Sequence, residues 1–253
     1  MTERSDRGRW ASRAVQALFL VGLIAGWYLL TTWGHVAAIL LPNPLAVFHE
    51  LTDVLEKGEF IGDLRVTLTE LAVAFLISAI LGTVIGYIIS RSSYLIEVFE
   101  PLLAGIYSVP IILFLPLYVL FFGLGPASKI ALGATISFFP IVLNTIAGFG
   151  YIDKMFIVSA RSMGASNYQL FRFVLLPAAF PVILTGLRMG FTIALLAILG
   201  SETIASLAGL GHRIVHYAES MDTARMFAYI TFAVAIAAFL NAVVSSVEAK
   251  GKR

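Results

Sequence analysis

The stretch DKMFIVSARSMGASNYQLFRFVLLPAAFP, Asp153–Pro181, is the longest polar interruption in the apolar second half of the chain, and it reads as two short helices separated by a break. Asp153 is placed to cap the first helix, in which Phe156, Ala160 and Met163 recur at helical spacing while Lys154 and Arg161 share the other side. Gly164 supplies the left-handed residue that ends such a helix, and Ser166 with Gln169 makes a capping box that starts the next one. Pro177 is expected to stop the second helix near a membrane. From its residues alone the segment is an amphipathic helix pair suited to lying on lipid.

The surrounding chain is of membrane composition. Hydrophobic residues make up 59% and charged residues 13% of the 253 positions, and mean hydropathy is positive, far from the roughly one-quarter charge of soluble domains. The length suits a single transmembrane domain, residues 1–253. A net charge of +2 is too small to argue for nucleic acid, and the absence of cysteine removes disulfides, thiolate metal sites and cysteine nucleophiles.

Six apolar runs are expected to span: about 14–33, 67–89, 101–122, 130–150, 181–201 and 226–247. The first follows a polar segment rich in arginine and is too long for a cleavable signal core, so it reads as an uncleaved helix. Between the first two runs, Leu41–Val47 (LPNPLAV) leads into an amphipathic region whose acids Glu50, Asp53, Glu56, Glu59 and Asp63 read as a solvated face. Gly82 and Gly86 in the second run permit close helix approach. Pro110 and Pro116 break the third, marking either a cavity-lining bend or a packing kink. Asn144, at mid-depth in the fourth, is expected to hydrogen-bond another helix or to touch a permeating solute.

Six spans put both termini on one side, with the Asp153–Pro181 loop. On that side lie Arg4, Arg7, Arg9, Arg13, Arg91, Lys154, Arg161, Arg172, Lys250, Lys252 and Arg253; opposite lie only Lys57, Arg65, Lys129, Arg213 and Arg225. The positive-inside rule makes the loop and both termini cytoplasmic.

Ser159-Ala160-x-x-x-Gly164, followed by Leu176-Pro177, resembles the EAA loop of ABC importer permease subunits, and the longer string Ala160–Arg188 is similar to the nitrate/sulfonate/taurine type. Leu41–Val47, Ile136–Gly148 (ISFFPIVLNTIAG) and the Gly209–Gly211 triplet GLG extend the resemblance toward the C-terminus. It implies an all-α, six-span permease of type I ABC importer kind whose loop is a coupling helix that docks into a groove of a separate ATPase subunit. Phe156, Ser159, Ala160, Arg161, Met163, Gly164, Ala165 and Pro177 would then carry the docking, by shape and apolar burial, since Val158 stands where the family usually has Glu. The resemblance further implies a homodimer in a bacterial cytoplasmic membrane, an extracytoplasmic solute-binding protein, and a small anion such as a sulfonate, taurine or nitrate as solute. Related permeases carry vitamin precursors or aromatic acids.

Arg188 and Glu202 are the ionisable groups to weigh in the fifth run. Fourteen residues at about 100° each bring them within roughly 40° on one face, but about 21 Å apart along the axis, too far to pair. Arg188 either snorkels to headgroups or faces a translocation pathway, and Glu202, at the other edge, is either a gate contact or a hydrated carboxylate. Asn144, Arg188 and Glu202 are thus the candidate pathway residues. His212 and His216 have the spacing of a metal pair without a third ligand nearby, so no metal is expected. The chain has no G-x-x-x-x-G-K-[ST] phosphate loop, so ATP and magnesium, if used, bind another polypeptide and this chain is not itself an enzyme. The competing class, a self-sufficient secondary transporter or channel, usually places ionisable groups near the midplane, where these runs hold almost none.

Overall fold

The computed structural model describes residues 3–34 and 36–251; the side chains of 3–14, 17, 247 and 249–251 are outside what it describes, as are Lys252 and Arg253. The arginines of the polar leader, Arg4, Arg7, Arg9 and Arg13, and the C-terminal cations thus fall outside the described side chains. The chain folds into helices that form two compact units, one made of the residues up to Phe60 with Arg213–Phe232, the other of Ile61–His212 with the chain from Ala233 onward.

In the first unit, α1 (Glu3–Thr32) is tied to the lead-in of α2 (Pro44–Lys57) by Trp27, whose indole N–H donates to Pro42 O at 3.0 Å. Asn43 caps α2 by accepting from Leu45 N, and Gly58, at φ 66°, ends it. Glu50 and Asp53 do not face water alone: Arg225 reaches Glu50 at 2.9 Å and Asp53 at 3.9 Å. Only Glu56 and Glu59 of the expected solvated face are exposed.

The second unit is built on three helices, α3 (Phe60–Ser90), α6 (Pro126–Gly150) and α9 (Leu176–Ile204). Glycines set how closely they approach. A Cβ at Gly82 or Gly86 of α3 would come within 2.8 Å of Ile141 or 2.6 Å of Thr145 on α6, and one at Gly190 of α9 would meet Ile141 at 2.5 Å. Ile141 therefore sits in two glycine notches at once, which makes α6 the central helix, with Leu132, Ile141, Val142 and Ile146 wholly buried. The expected role of Gly82 and Gly86 in close packing is met.

Between α3 and α6, α4 (Ser93–Tyr107) and α5 (Leu115–Phe122), the latter preceded by a 3₁₀ turn over Ile111–Phe114, form one apolar pair bent by 71°. The bend falls at Pro110 alone. Pro101 lies inside α4, so this run begins earlier than its charge-free stretch, and Pro116 sits in the first turn of α5, where its missing N–H has no helical partner to lose.

Past α6 come α7 (Lys154–Ser162) and α8 (Asn167–Leu170). Pro177 does not stop the second of these. A π-helical turn over Phe171–Leu175 joins α8 to α9, so the helix runs from Asn167 to Ile204 through the proline. The wider turn absorbs the displaced ladder that a proline creates. α10 (Leu210–Glu219) and α11 (Thr223–Gly251) complete the chain.

Among the described residues, four helical stretches are long and apolar enough to cross a membrane: Phe60–Ser90, Pro126–Gly150, Asn167–Ile204 and Thr223–Ser246. The bent pair adds a fifth if taken as one broken span. The apolar part of α1, Leu18–Thr32, is shorter, so the expected six stand at four or five by this measure.

Candidate functional site

The loop between α6 and α9 is ordered by local signals that agree with one another. The Asp153 carboxylate accepts from Met155 N at 2.9 Å. At the other end of α7, Gly164 N donates to Arg161 O and Ala165 N to Ala160 O, a Schellman ending with Gly164 at φ 81°. Ser166 and Gln169 then exchange both bonds of a capping box and start α8. Arg161 spans the break: its guanidinium donates to Ala165 O at 3.2 Å and to the Asn167 side chain, so much of its hydrogen-bonding capacity is used inside the loop.

This stitched loop is pinned to the core by rings. Phe171, in the π turn, lies 5.4 Å from Tyr87 of α3 and 6.3 Å from Phe149 of α6, which are 5.0 Å from each other. Beyond that anchor its apolar side chains point away from the protein: Met155, Phe156, Val158, Met163 and Tyr168 are all exposed, Met163 by 87%. Ser159, Arg161 and Gly164 are exposed as well, whereas Ala160 and Ala165 are half-buried. Pro177 lies beyond the π turn, apart from this face.

A second feature lies along α9, where Thr185, Arg188, Met189, Thr192 and Ile193 line an open groove of about 420 Å³. Arg188 does not simply snorkel. Its guanidinium donates to Glu248 of α11 at 2.8 Å, and the same carboxylate accepts from the Thr185 hydroxyl at 3.0 Å. Two turns on, Thr192 donates to Asn241 at 2.7 Å. Thr185 and Thr192 are seven residues apart, as are Asn241 and Glu248, so one stripe on each helix meets the other in antiparallel register. That shared heptad spacing was the sequence signal for Glu248, which charge counting passed over.

Asn144 meets this groove at Met189, and it bonds both its own helix and a second one. Its amide donates to Pro140 O of its own helix at 2.8 Å, four residues back, and approaches the Met189 sulfur at 3.9 Å. The amide has two N–H donors, so one serves its own turn and the other reaches the thioether across the interface. Glu202 is set apart from both. It is 1% exposed, so it is no hydrated carboxylate, and it accepts from the Thr67 hydroxyl at 2.7 Å and from Gly211 N at 2.8 Å. Asp63, also buried and so no part of a solvated face, accepts from Gly209 N. Lys129, counted among the loop cations, is wholly buried with its ammonium on the carbonyls of Leu124 and Gly125. His212 and His216 are joined by no third ligand: no group of three or more metal-ligating side chains occurs among the described residues.

Residues 66–249 match the family described as binding-protein-dependent transport system inner membrane component. The chain is 33% identical to "Putative aliphatic sulfonates transport permease protein SsuC" of Bacillus subtilis (strain 168), over 84% of this chain and 77% of the relative. It is 31% identical to the taurine transport system permease protein TauC of Escherichia coli (strain K12), over 87% and 82%. The fold is that of a chain in the inward-facing MetNI methionine ABC transporter, with TM-score 0.63 and 17% identity over 76% of this chain and 95% of that one.

Proposed function

The chain belongs to the binding-protein-dependent transport system inner membrane components, and from that membership we propose that it is the pathway-forming subunit of an ATP-driven importer for a small organosulfonate such as taurine or an alkanesulfonate. The relatives named for sulfonates and taurine support the solute class. The observation that carries the reading is the loop over α7 and α8, rigidly stitched, pinned to the core by Phe171, and presenting unpartnered apolar side chains. A surface built that way fits the groove of a separate ATPase, where each medium side chain buried is worth about 1.5–3 kcal/mol. ATP and magnesium belong to that partner, and the loop and both termini are cytoplasmic.

The α9 groove serves as the pathway lining. Arg188 keeps about half of its side chain exposed, which is costly against lipid alone. A second copy of the chain across a two-fold axis encloses it, and twofold symmetry is the commonest for homo-oligomers. Glu248 neutralises much of the Arg188 charge, leaving hydrogen-bond donors for a passing sulfonate without a deep electrostatic trap. Selection of the solute rests on the extracytoplasmic binding protein.

The test is reconstitution of the permease and its ATPase in proteoliposomes, with binding protein loaded with taurine or an alkanesulfonate. Loaded binding protein raises ATP hydrolysis and drives uptake; uptake that continues without ATP overturns the reading. For orientation, a cysteine introduced at Ser166 resists an impermeant thiol reagent in intact cells while one at Ser220 reacts, and labelling of Ser166 from outside reverses the topology.

A further inference from the structure

At the end of the second unit away from the docking loop, the Gly209–Gly211 triplet is held by its backbone. Gly209 N donates to Asp63, Leu210 N to the Thr67 hydroxyl at 3.0 Å, and Gly211 N to Glu202, while Thr67 donates onward to Glu202. These are the first N–H groups of α10, which a helix cannot satisfy internally. The glycines are needed for the approach: a Cβ at Gly209, whose φ is 107°, would run into the Glu202 carboxyl, and one at Gly211 would lie 2.5 Å from Leu199 O.

One turn along α3 from Thr67 stands Glu70, a residue this clamp does not account for. It is 1% exposed, and neither carboxyl oxygen meets a donor among the groups around it. Thr67, one turn before it on α3, is bonded to Glu202, which places the Glu70 and Glu202 carboxyls in one buried cluster. Two ionised carboxylates offer each other only acceptors, and a buried acceptor without a donor is costly. A hydrogen bond forms between them only when one holds a proton.

The surroundings decide which. Glu202 accepts from the Thr67 hydroxyl and from the Gly211 N–H at the positive end of α10, so its oxygens are already engaged as acceptors. Glu70 receives nothing. Lys129 of α6, buried and close to both, supplies one positive charge against the pair, with two carbonyl oxygens already occupying its ammonium. Asp63 has its own partner in Gly209 N. Glu70 also borders a cleft of about 220 Å³ with Arg65, Val66, Thr69 and Pro126.

We propose that Glu70 is a neutral carboxylic acid that donates its proton to the ionised Glu202, and that this shared proton is the last bond of the clamp holding the Gly209–Gly211 loop to α3 and α9. Glu70 is thereby a positioning residue, acting on the loop through Glu202.

The experiment uses the full chain in lipid nanodiscs and requires no transport. The infrared difference spectrum between wild type and Glu70→Gln at neutral pH shows loss of a protonated-carboxyl C=O band that shifts in deuterium oxide. Glu70→Gln keeps an N–H donor toward Glu202 and holds the thermal midpoint within about 2 °C, whereas Glu70→Ala and Glu202→Gln each lower it by about 4 °C or more. A difference spectrum showing carboxylate stretches instead, or Glu70→Gln as damaging as Glu70→Ala, overturns the proposal in favour of an ionised Glu70 set against Lys129. Should Glu202→Gln fail to fold, the infrared band still decides.

Discussion

The two ends of the α3, α6 and α9 core are finished in opposite ways. At the Glu202 end, charged and polar groups are buried and bonded to backbone N–H groups of the adjoining loop. At the Asp153 end, the polar groups bond within the loop itself and the apolar side chains are left outside. The first end has spent its interactions on one closed arrangement; the second has made a rigid surface and left it for another molecule. Burial of polar atoms is the mark of an anchor here, and exposure of apolar ones is the mark of a docking face.

The largest effect is expected from breaking the exposed end. Ala160→Glu places a carboxylate at the half-buried centre of α7, and Gly164→Val forces a β-branched residue into a left-handed conformation, at a cost of about 1–2 kcal/mol. Loss of even one or two apolar contacts weakens docking at least about tenfold. Co-purification of the ATPase and its solute-stimulated hydrolysis are both lost, while the permease still inserts and keeps its Glu202 clamp. If both variants bind and couple as wild type does, the loop is not the coupling element and the contrast between the two ends has some other meaning.

How much of this contrast could be read from sequence follows from how local each signal is. Asp153, Gly164, Ser166 and Gln169 act within a few residues of themselves, and each is found doing what its spacing indicates. The Glu202 clamp joins residues more than a hundred positions apart, Thr67 to Glu202 and Asp63 to Gly209, and neither a charge count nor a periodicity can pair them. Asp63 was consequently placed on a solvated face and Lys129 in a loop, although both are buried. Arg188 was recognised but not its partner, because Glu248 lies in the polar tail of the last helix, where a carboxylate draws no notice. Its heptad spacing from Asn241 was the available clue. Asn144 has the partner on another helix that an amide at that depth needs, the Met189 sulfur, and also a nearer one that depth alone does not indicate, the carbonyl four residues back.

An intermediate effect is expected where the core is neither sealed nor exposed, at Arg188. Arg188→Ala removes the guanidinium that pairs with the buried Glu248 carboxylate, which keeps its bond from the Thr185 hydroxyl. Breaking one member of a buried ion pair costs about 3–5 kcal/mol, and the half-exposed guanidinium brings this toward the lower end. Uptake falls several-fold with the ATPase still bound, and Glu248→Gln added to Arg188→Ala recovers stability but not uptake. The split separates the two roles: recovery of both would make the pair a packing contact, and full uptake in Arg188→Ala alone would remove Arg188 from the pathway.

The smallest effect belongs to Pro177, and it tests how the exposed loop is joined to the core. Leu176 N donates to Phe171 O five residues back, the signature of the π turn, and the next residue is the proline, which has no N–H to give. If the proline sets the turn, Pro177→Ala restores a donor and lets the ladder return toward four-residue spacing. Global stability then changes by less than about 1 kcal/mol in either direction, since the π turn already accommodates the missing donor and alanine is a good helix former. The angular position of α8 on α9 would change all the same, because removing the wide turn shifts the register of Phe171 against Tyr87 and Phe149. Hydrogen exchange across Phe171–Leu175 should slow while ATPase stimulation falls modestly with docking intact. Unchanged exchange would show that the ring cluster, and not the proline, imposes the π turn, so that the loop's geometry is set by the core it stands on.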